Sequence, residues 1–188
     1  NMKNLLTLLV LVTSTLVFSQ EKFDLNPESP NFSSNQVIIN IDGLSVPEEF
    51  KIVDAWIKMT FDSPFEIIKC EVDNEFIKIS NTVDNLYFKN HLLSKSYYDV
   101  NYDILFCFKN NKIKFEVTQI KVHYPETINS GGWEEISFKD NDHFKSNGQL
   151  KPDAKESFQA MEDYLNNLVI SLKKHLENPN IITSGENW

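Results

Sequence analysis

Between Tyr98 and Phe108 two sets of side chains alternate without a break: Tyr98, Val100, Tyr102, Ile104, Phe106 and Phe108 on one parity, Asp99, Asn101, Asp103, Leu105 and Cys107 on the other. A period of two sends the two sets to opposite faces of a strand, so this is a long, half-buried β-strand. Asn110-Asn111 has the chemistry of a tight hairpin turn. It leads into a second strand, Lys112 to Tyr124. Pairing across that turn sets Phe108 opposite Ile113, Phe106 opposite Phe115 and Ile104 opposite Val117. In the second strand the apolar positions are odd-numbered through Val117 and even-numbered from Ile120 through Val122 to Tyr124. The change of parity predicts a β-bulge near Thr118-Gln119 and a bend in the sheet.

The remaining pattern supplies three more strands and two helices. Val37 to Ile41 is a short β-branched run closed by Asp42-Gly43, a strand ending in a turn. Ser45 and Glu48 have capping-box spacing, with Glu48 and Glu49 at the positive end of a helix dipole. The helix predicted from Val46 to Phe61 carries Val46, Phe50, Val53, Ile57 and Thr60 on one stripe, widened by Ile52, Trp56 and Met59, with Lys51, Asp54 and Lys58 on the wet face. Phe65 to Val72 and Glu75 to Ser80 read as a hairpin around Asp73-Asn74. Its predicted register sets Cys70 opposite Ile77 and Ile68 opposite Ile79, with Cys70 toward the core. Asn81 to Ser94 is apolar without a clean period and reads as a partly buried connection. Pro125 to Leu150 is a polar loop. Pro152 then opens a final helix whose Ala154, Phe158, Met161, Leu165, Leu168, Leu172 and Leu176 alternate spacings of four and three.

The order β-α-β-β-β-β-α makes this an α+β domain in which two helices pack on a five-stranded antiparallel sheet. Met2-Lys3-Asn4, the apolar stretch Leu5 to Phe18 and the small residues that follow form a secretory signal peptide, with cleavage expected after Ser19. The expected organisation is a signal peptide over 1–19, a flexible leader over 20–35, a single domain over 36–178 and a C-terminal tail over 179–188. The protein is then exported, periplasmic or extracellular, with no stable membrane span after signal cleavage.

Charge narrows the partners. The 188-residue chain carries a formal charge of −9 and contains no arginine. Nucleic-acid binding draws on cationic phosphate contacts and bidentate Arg, so no nucleic-acid partner is expected; anionic membrane surfaces are disfavoured for the same reason. Export permits a disulfide, but the strand faces predicted for Cys70 and Cys107 keep the two thiols apart, and no bridge between them is expected.

This order of elements resembles a family of exported bacterial proteins described as a domain of unknown function with a TATA-binding-protein-like fold. The likeness rests also on the signal peptide, on Asp42-Gly43-Leu44-Ser45 leading into an aromatic-rich helix, on Gly131-Gly132 after the last strand and on the basic end of the terminal helix. It spans about Val37 to Leu176. The resemblance implies a curved antiparallel sheet with both helices on one face, and it carries over no active-site residues. The TATA-binding protein uses the open face of its sheet on DNA. Here that face would carry Asp99, Asn101, Asp103, Lys114, Glu116 and Thr118, a mixed and acidic surface; fold alone does not transfer function.

Candidate chemistry is sparse. His91, His123, His143 and His175 have no ligand spacing. His143 reads as a solvated loop residue and His175 as a partner of the helix dipole. Asp140-Asn141-Asp142 lacks the glycine placement and bidentate Glu of a calcium loop, so no metal and no cofactor are expected. Neither thiol stands in a catalytic pattern, and no hydrolase or nucleotide-binding motif occurs. Asp99, Asn101 and Asp103 share a strand face suited to a cation or polar ligand. Trp133, with Glu134 and Glu135, sits in a Gly-bearing loop, where an aromatic either binds a ligand or plugs the sheet end. The first reading is a non-enzymatic binding or interaction module of the cell envelope, with a protein or small molecule as partner. The alternatives are a helix-grip-like carrier of an apolar ligand and a hydrolase without a recognisable motif.

Overall fold

In the computed structural model, the described residues are 22–29, 32, 35–126 and 131–178. The signal peptide and the C-terminal tail fall outside them. Strand β1 (Gln36–Asn40) is followed by helix α1 (Val46–Thr60), a single turn α2 (Pro64–Ile67), strands β2 (Ile68–Val72), β3 (Phe76–Asn90), β4 (Lys95–Lys109), β5 (Lys112–Tyr124) and β6 (Gly132–Glu135), and helix α3 (Pro152–Glu177). The antiparallel order is β1-β5-β4-β3-β2, with β6 added beside β5. Five of the six strands, their order along the chain and both long helices are those the sequence pattern predicts, except that Phe65 to Ile67, expected to open a strand, lie in the turn α2.

The hairpin β4–β5 forms in the predicted register, with Phe108 opposite Ile113, Phe106 opposite Phe115 and Ile104 opposite Val117. Asp103 then pairs with Gln119, leaving Thr118 as the extra residue of a bulge. The bulge keeps Val117, Ile120 and Val122 on one face, where all three are buried.

The two long helices cover that face. On α1, Phe50 and Trp56 meet Phe108 and Phe106 edge-on at 5.4 and 5.9 Å between ring centroids. The Trp56 indole donates to Ser171 Oγ on α3 at 3.1 Å, tying the helices together. On α3, Tyr164 meets Tyr102 of β4, their hydroxyls 2.9 Å apart. Glu48 closes the start of α1 by accepting from the Ser45 N–H at 2.8 Å. Met59, at 61% exposed, stands outside the apolar stripe predicted to include it.

Four further expectations change. Residues 20–35 were expected to lead loosely into the domain, yet Phe23 and Leu25 are fully buried, and their backbone N–H groups donate to Asn166 and Glu162 on α3. Asn81 to Ser94 is no irregular connection: β3 runs on to Asn90, interrupted only by an irregularity between Val83 and Tyr87. Gly132 to Glu135 is a strand, because it satisfies the edge of β5 beyond the reach of β1.

Cys70 is the fourth. The turn after Val72 takes three residues, with Asn74 at φ 62°, so Val72 pairs with Phe76 and Cys70 with Lys78. An irregularity between Ile68 and Cys70 then restores Ile68 opposite Ile79 as predicted. Cys70 is therefore exposed, not a core residue, while Cys107 is partly buried; both are free thiols.

Candidate functional site

The helices lie on one face of the sheet, and the outward-pointing side chains of β3, β4 and β5 remain partly exposed on the other. Strand β6 adds to this open face. Its pairing sets Trp133 opposite His123 and Glu135 opposite Lys121, and Lys121 is itself opposite Asn101 of β4. Trp133, Glu135, Asn101 and Asp103, far apart in sequence, thus share one surface three strands wide, spanning about 10 Å from β6 to β4. Glu134 stands opposite buried Val122 and turns to the other side.

Most polar groups here are engaged within the sheet. Asp103 forms an ion pair with Lys78 at 2.9 Å. Burial works to raise the Asp103 carboxyl, but hydrogen bonds from Ser80 and Lys78 and the Lys78 charge outweigh it and hold the group below its ordinary value. The Asn101 amide nitrogen donates to Thr82 Oγ1 at 3.1 Å and to the Asn81 carbonyl at 3.2 Å. Asp99 accepts the Asn85 N–H at 3.0 Å, where Asn85 takes φ 59° inside the β3 irregularity. The two aspartates are therefore sheet-binding groups rather than a waiting cation site. Among the described residues, no cluster of three or more His, Cys, Asp or Glu side chains is placed to hold a metal ion.

What the face does present is Trp133. It is 47% exposed, and its ring lies 4.9 Å from that of His123. Beside it, the Gln119 amide donates to Glu135 at 2.8 Å. A cleft of about 350 Å³ opens where the β5 bulge leaves a seam between β1 and β6, lined by Thr118, Gln119, Glu135, Phe32, Phe138 and Lys139. In the sequence His123 stands out only as a histidine without ligand spacing and Gln119 only as part of the bulge; neither they nor Lys121 are marked there as binding residues. Their signal was the alternation after the bulge, which sends Gln119, Lys121 and His123 outward between Ile120, Val122 and Tyr124.

Two histidines differ from expectation. His143 is buried and stacks edge-on against Phe158 at 4.9 Å, so it is no solvated loop residue; burial holds its pKa below the usual range against the pull of Asp140. His175 is also buried and its pKa lowered by burial, which favours the neutral ring over a cation facing the helix dipole. Asp140 caps the short 3₁₀ turn Asn141–His143, accepting the Asp142 N–H.

The space described between α3 and the sheet is too small for an apolar ligand. The gap between Val100, Tyr102, Ile120, Met161 and Tyr164 is about 10 Å³, room for about one water. No described helix is long and apolar enough to cross a membrane.

Residues 36–123 match the family described as "Domain of unknown function (DUF4468) with TBP-like fold". Two crystal structures are similar in fold. A DUF4468 family protein from Bacteroides ovatus superposes with a TM-score of 0.62 at 16% identity, covering 85% of this chain and 94% of the other. A TBP-like protein from Parabacteroides distasonis superposes with a TM-score of 0.54 at 18% identity, covering 82% of this chain and 99% of the other. A search of curated protein sequences finds no match.

Proposed function

We propose that the protein, whose residues 36–123 match the DUF4468 family model, is an exported, non-enzymatic binding module of the cell envelope. Its partner sits on the open face of the sheet, at the β6 end. The observation that carries this reading is the half-exposed Trp133, held against His123 on the same face as Glu135, Gln119 and Asn101 and next to the seam beside the bulge. A flat aromatic surface beside amides and a carboxylate offers both apolar contact area and hydrogen-bonding groups, the combination that anchors binding interfaces.

Photo-crosslinking tests the reading in cells making the full chain. A benzophenone amino acid at position 133 is expected to yield one defined adduct, and the same probe at Met59, on the far side of the molecule, is expected to yield none. Adducts from both positions, or from neither, argue against the open face as the binding surface. Export predicts an envelope protein whose first residue, by N-terminal sequencing, is Gln20.

A further inference from the structure

The hairpin joining β3 to β4 ends in Leu92 and Leu93, which are 98% and 95% exposed. Two adjacent leucines in full contact with water are an unusual feature of a soluble surface. Their support is rigid. The backbone of Phe88 is clamped to α3 from both sides, its carbonyl accepting from Ser157 Oγ at 2.6 Å and its N–H donating to the same oxygen at 3.2 Å. Four residues beyond that clamp, about 13 Å of ribbon, carry the leucines outward. The tip is closed by the His91 N–H donating to the Ser94 carbonyl at 2.7 Å.

Behind the leucines lies a belt of cations and aromatic rings. Lys95 sits over the Phe88 ring at 3.6 Å, Lys89 over Tyr124 at 4.7 Å, and Phe88 packs against Tyr97, which is 55% exposed. From Asn85 to Tyr98 the chain holds two lysines, one histidine and no acid, although acidic residues outnumber basic ones over the whole sequence. Glu156 on α3 lies 3.5 Å from Lys95, and Lys89 borders a cleft that Glu134, Asp140 and Asp142 also line. An apolar apex followed by aromatic and cationic side chains is the layering that suits the boundary between acyl chains and headgroups. A convex point also fits a deformable surface better than a preformed pocket.

We propose that the β3–β4 tip is a lipid-contacting wedge, which inserts Leu92 and Leu93 into one leaflet of a bilayer while Lys89 and Lys95 meet anionic headgroups. This surface is separate from the Trp133 face and does not depend on it. Two leucines make a weak, reversible anchor, not a span.

The test uses the full chain with both cysteines replaced by serine and an environment-sensitive fluorophore on Ser94→Cys. A local probe reads the tip alone, whatever the N-terminal segment does with lipid. On vesicles of phosphatidylethanolamine and phosphatidylglycerol, the emission is expected to shift to the blue and rise. Adding L92S/L93S should raise the lipid needed for half the effect by about tenfold or more. K89Q/K95Q should weaken the response a few-fold on these vesicles and leave it unchanged on phosphatidylcholine. No shift on either vesicle, or a shift that L92S/L93S leaves intact, overturns the proposal. A lipid-independent shift that grows with protein concentration also overturns it, making the tip a contact between copies of the chain.

Discussion

Trp133 and His123 face each other across the β6–β5 pair, with ring centroids 4.9 Å apart and planes inclined by 44°. An aromatic pair of this kind contributes about 0.5–1.5 kcal/mol, and the half-exposed position of Trp133 places it toward the lower end. Trp133→Ala is therefore expected to lower the melting temperature by only about 1–3 °C. His123→Ala should do the same, and the double variant should lose little more than either, since both remove one contact. Calorimetry of the four proteins checks this. A loss beyond about 6 °C for Trp133→Ala would make the indole a packing residue and weaken the case for the open face.

Thr118 is the residue left over between Ile104–Val117 and Asp103–Gln119. Removing it leaves Val117 inward, Gln119 outward and Ile120 inward, which is a regular strand. Deletion of Thr118 is accordingly expected to give a folded protein within about 2 kcal/mol of the parent, with the seam beside the bulge altered. Deletion of Leu105 is the contrast, because it turns Phe106 and Phe108, both core residues, onto the open face. That variant is expected to lose more than about 4 kcal/mol, and urea denaturation separates the two outcomes. Equal damage from both deletions would mean that the bulge itself is required for folding.

The legible parts of the fold are those where one periodicity runs unbroken. Strands β4 and β5 could be paired residue by residue, and the bulge followed from a parity change that only Thr118-Gln119 accommodates. The far half of β3 was hidden because Asp84-Asn85-Leu86 interrupts the ladder between Val83 and Tyr87, erasing the alternation. Cys70 was misplaced by one residue of turn length, since Asp73-Asn74 suggests a two-residue loop while the chain uses three. Strand β6 has no internal apolar signal at all; Gly-Trp-Glu-Glu is a strand only because β5 offers it an unfilled edge. The candidate site depends on that edge, so Trp133 was identified from sequence and its stacking partner His123 was not. Glu49, read as a dipole partner at the start of α1, turned out to be fully buried.

The two thiols lead to a simple expectation. Cys70 is exposed on β2 and Cys107 half-buried on β4, with β3 between them. Unfolded, unreduced protein should titrate two free thiols, and in the native state one of them, Cys70, should react first. Cys70→Ser is expected to change stability by no more than about 0.5 kcal/mol, as for an ordinary surface substitution. Fewer than two thiols in the unfolded protein would contradict the strand faces described above.

Glu49 sits at the first turn of α1, against the β4–β5 turn, and neither carboxylate oxygen closes a well-formed hydrogen bond. Burial raises its pKa, only partly opposed by the backbone amides of Asn111 and Lys112. A carboxyl whose folded pKa lies above its unfolded value gives a contribution that is complete below about pH 4.3 and lost as pH rises through the folded value. His143 and His175 act at the other end: their lowered pKa values favour the folded state above about pH 6.5 and cost stability as pH falls below it. Replacing Glu49 with an amide isolates the first effect, because the histidines are common to both proteins. Glu49→Gln is therefore expected to match the parent, or fall slightly below it, at pH 4, and to melt a few degrees higher at pH 7. Scanning calorimetry at the two pH values checks it; a difference that does not grow with pH would mean that the buried carboxylate carries no desolvation cost.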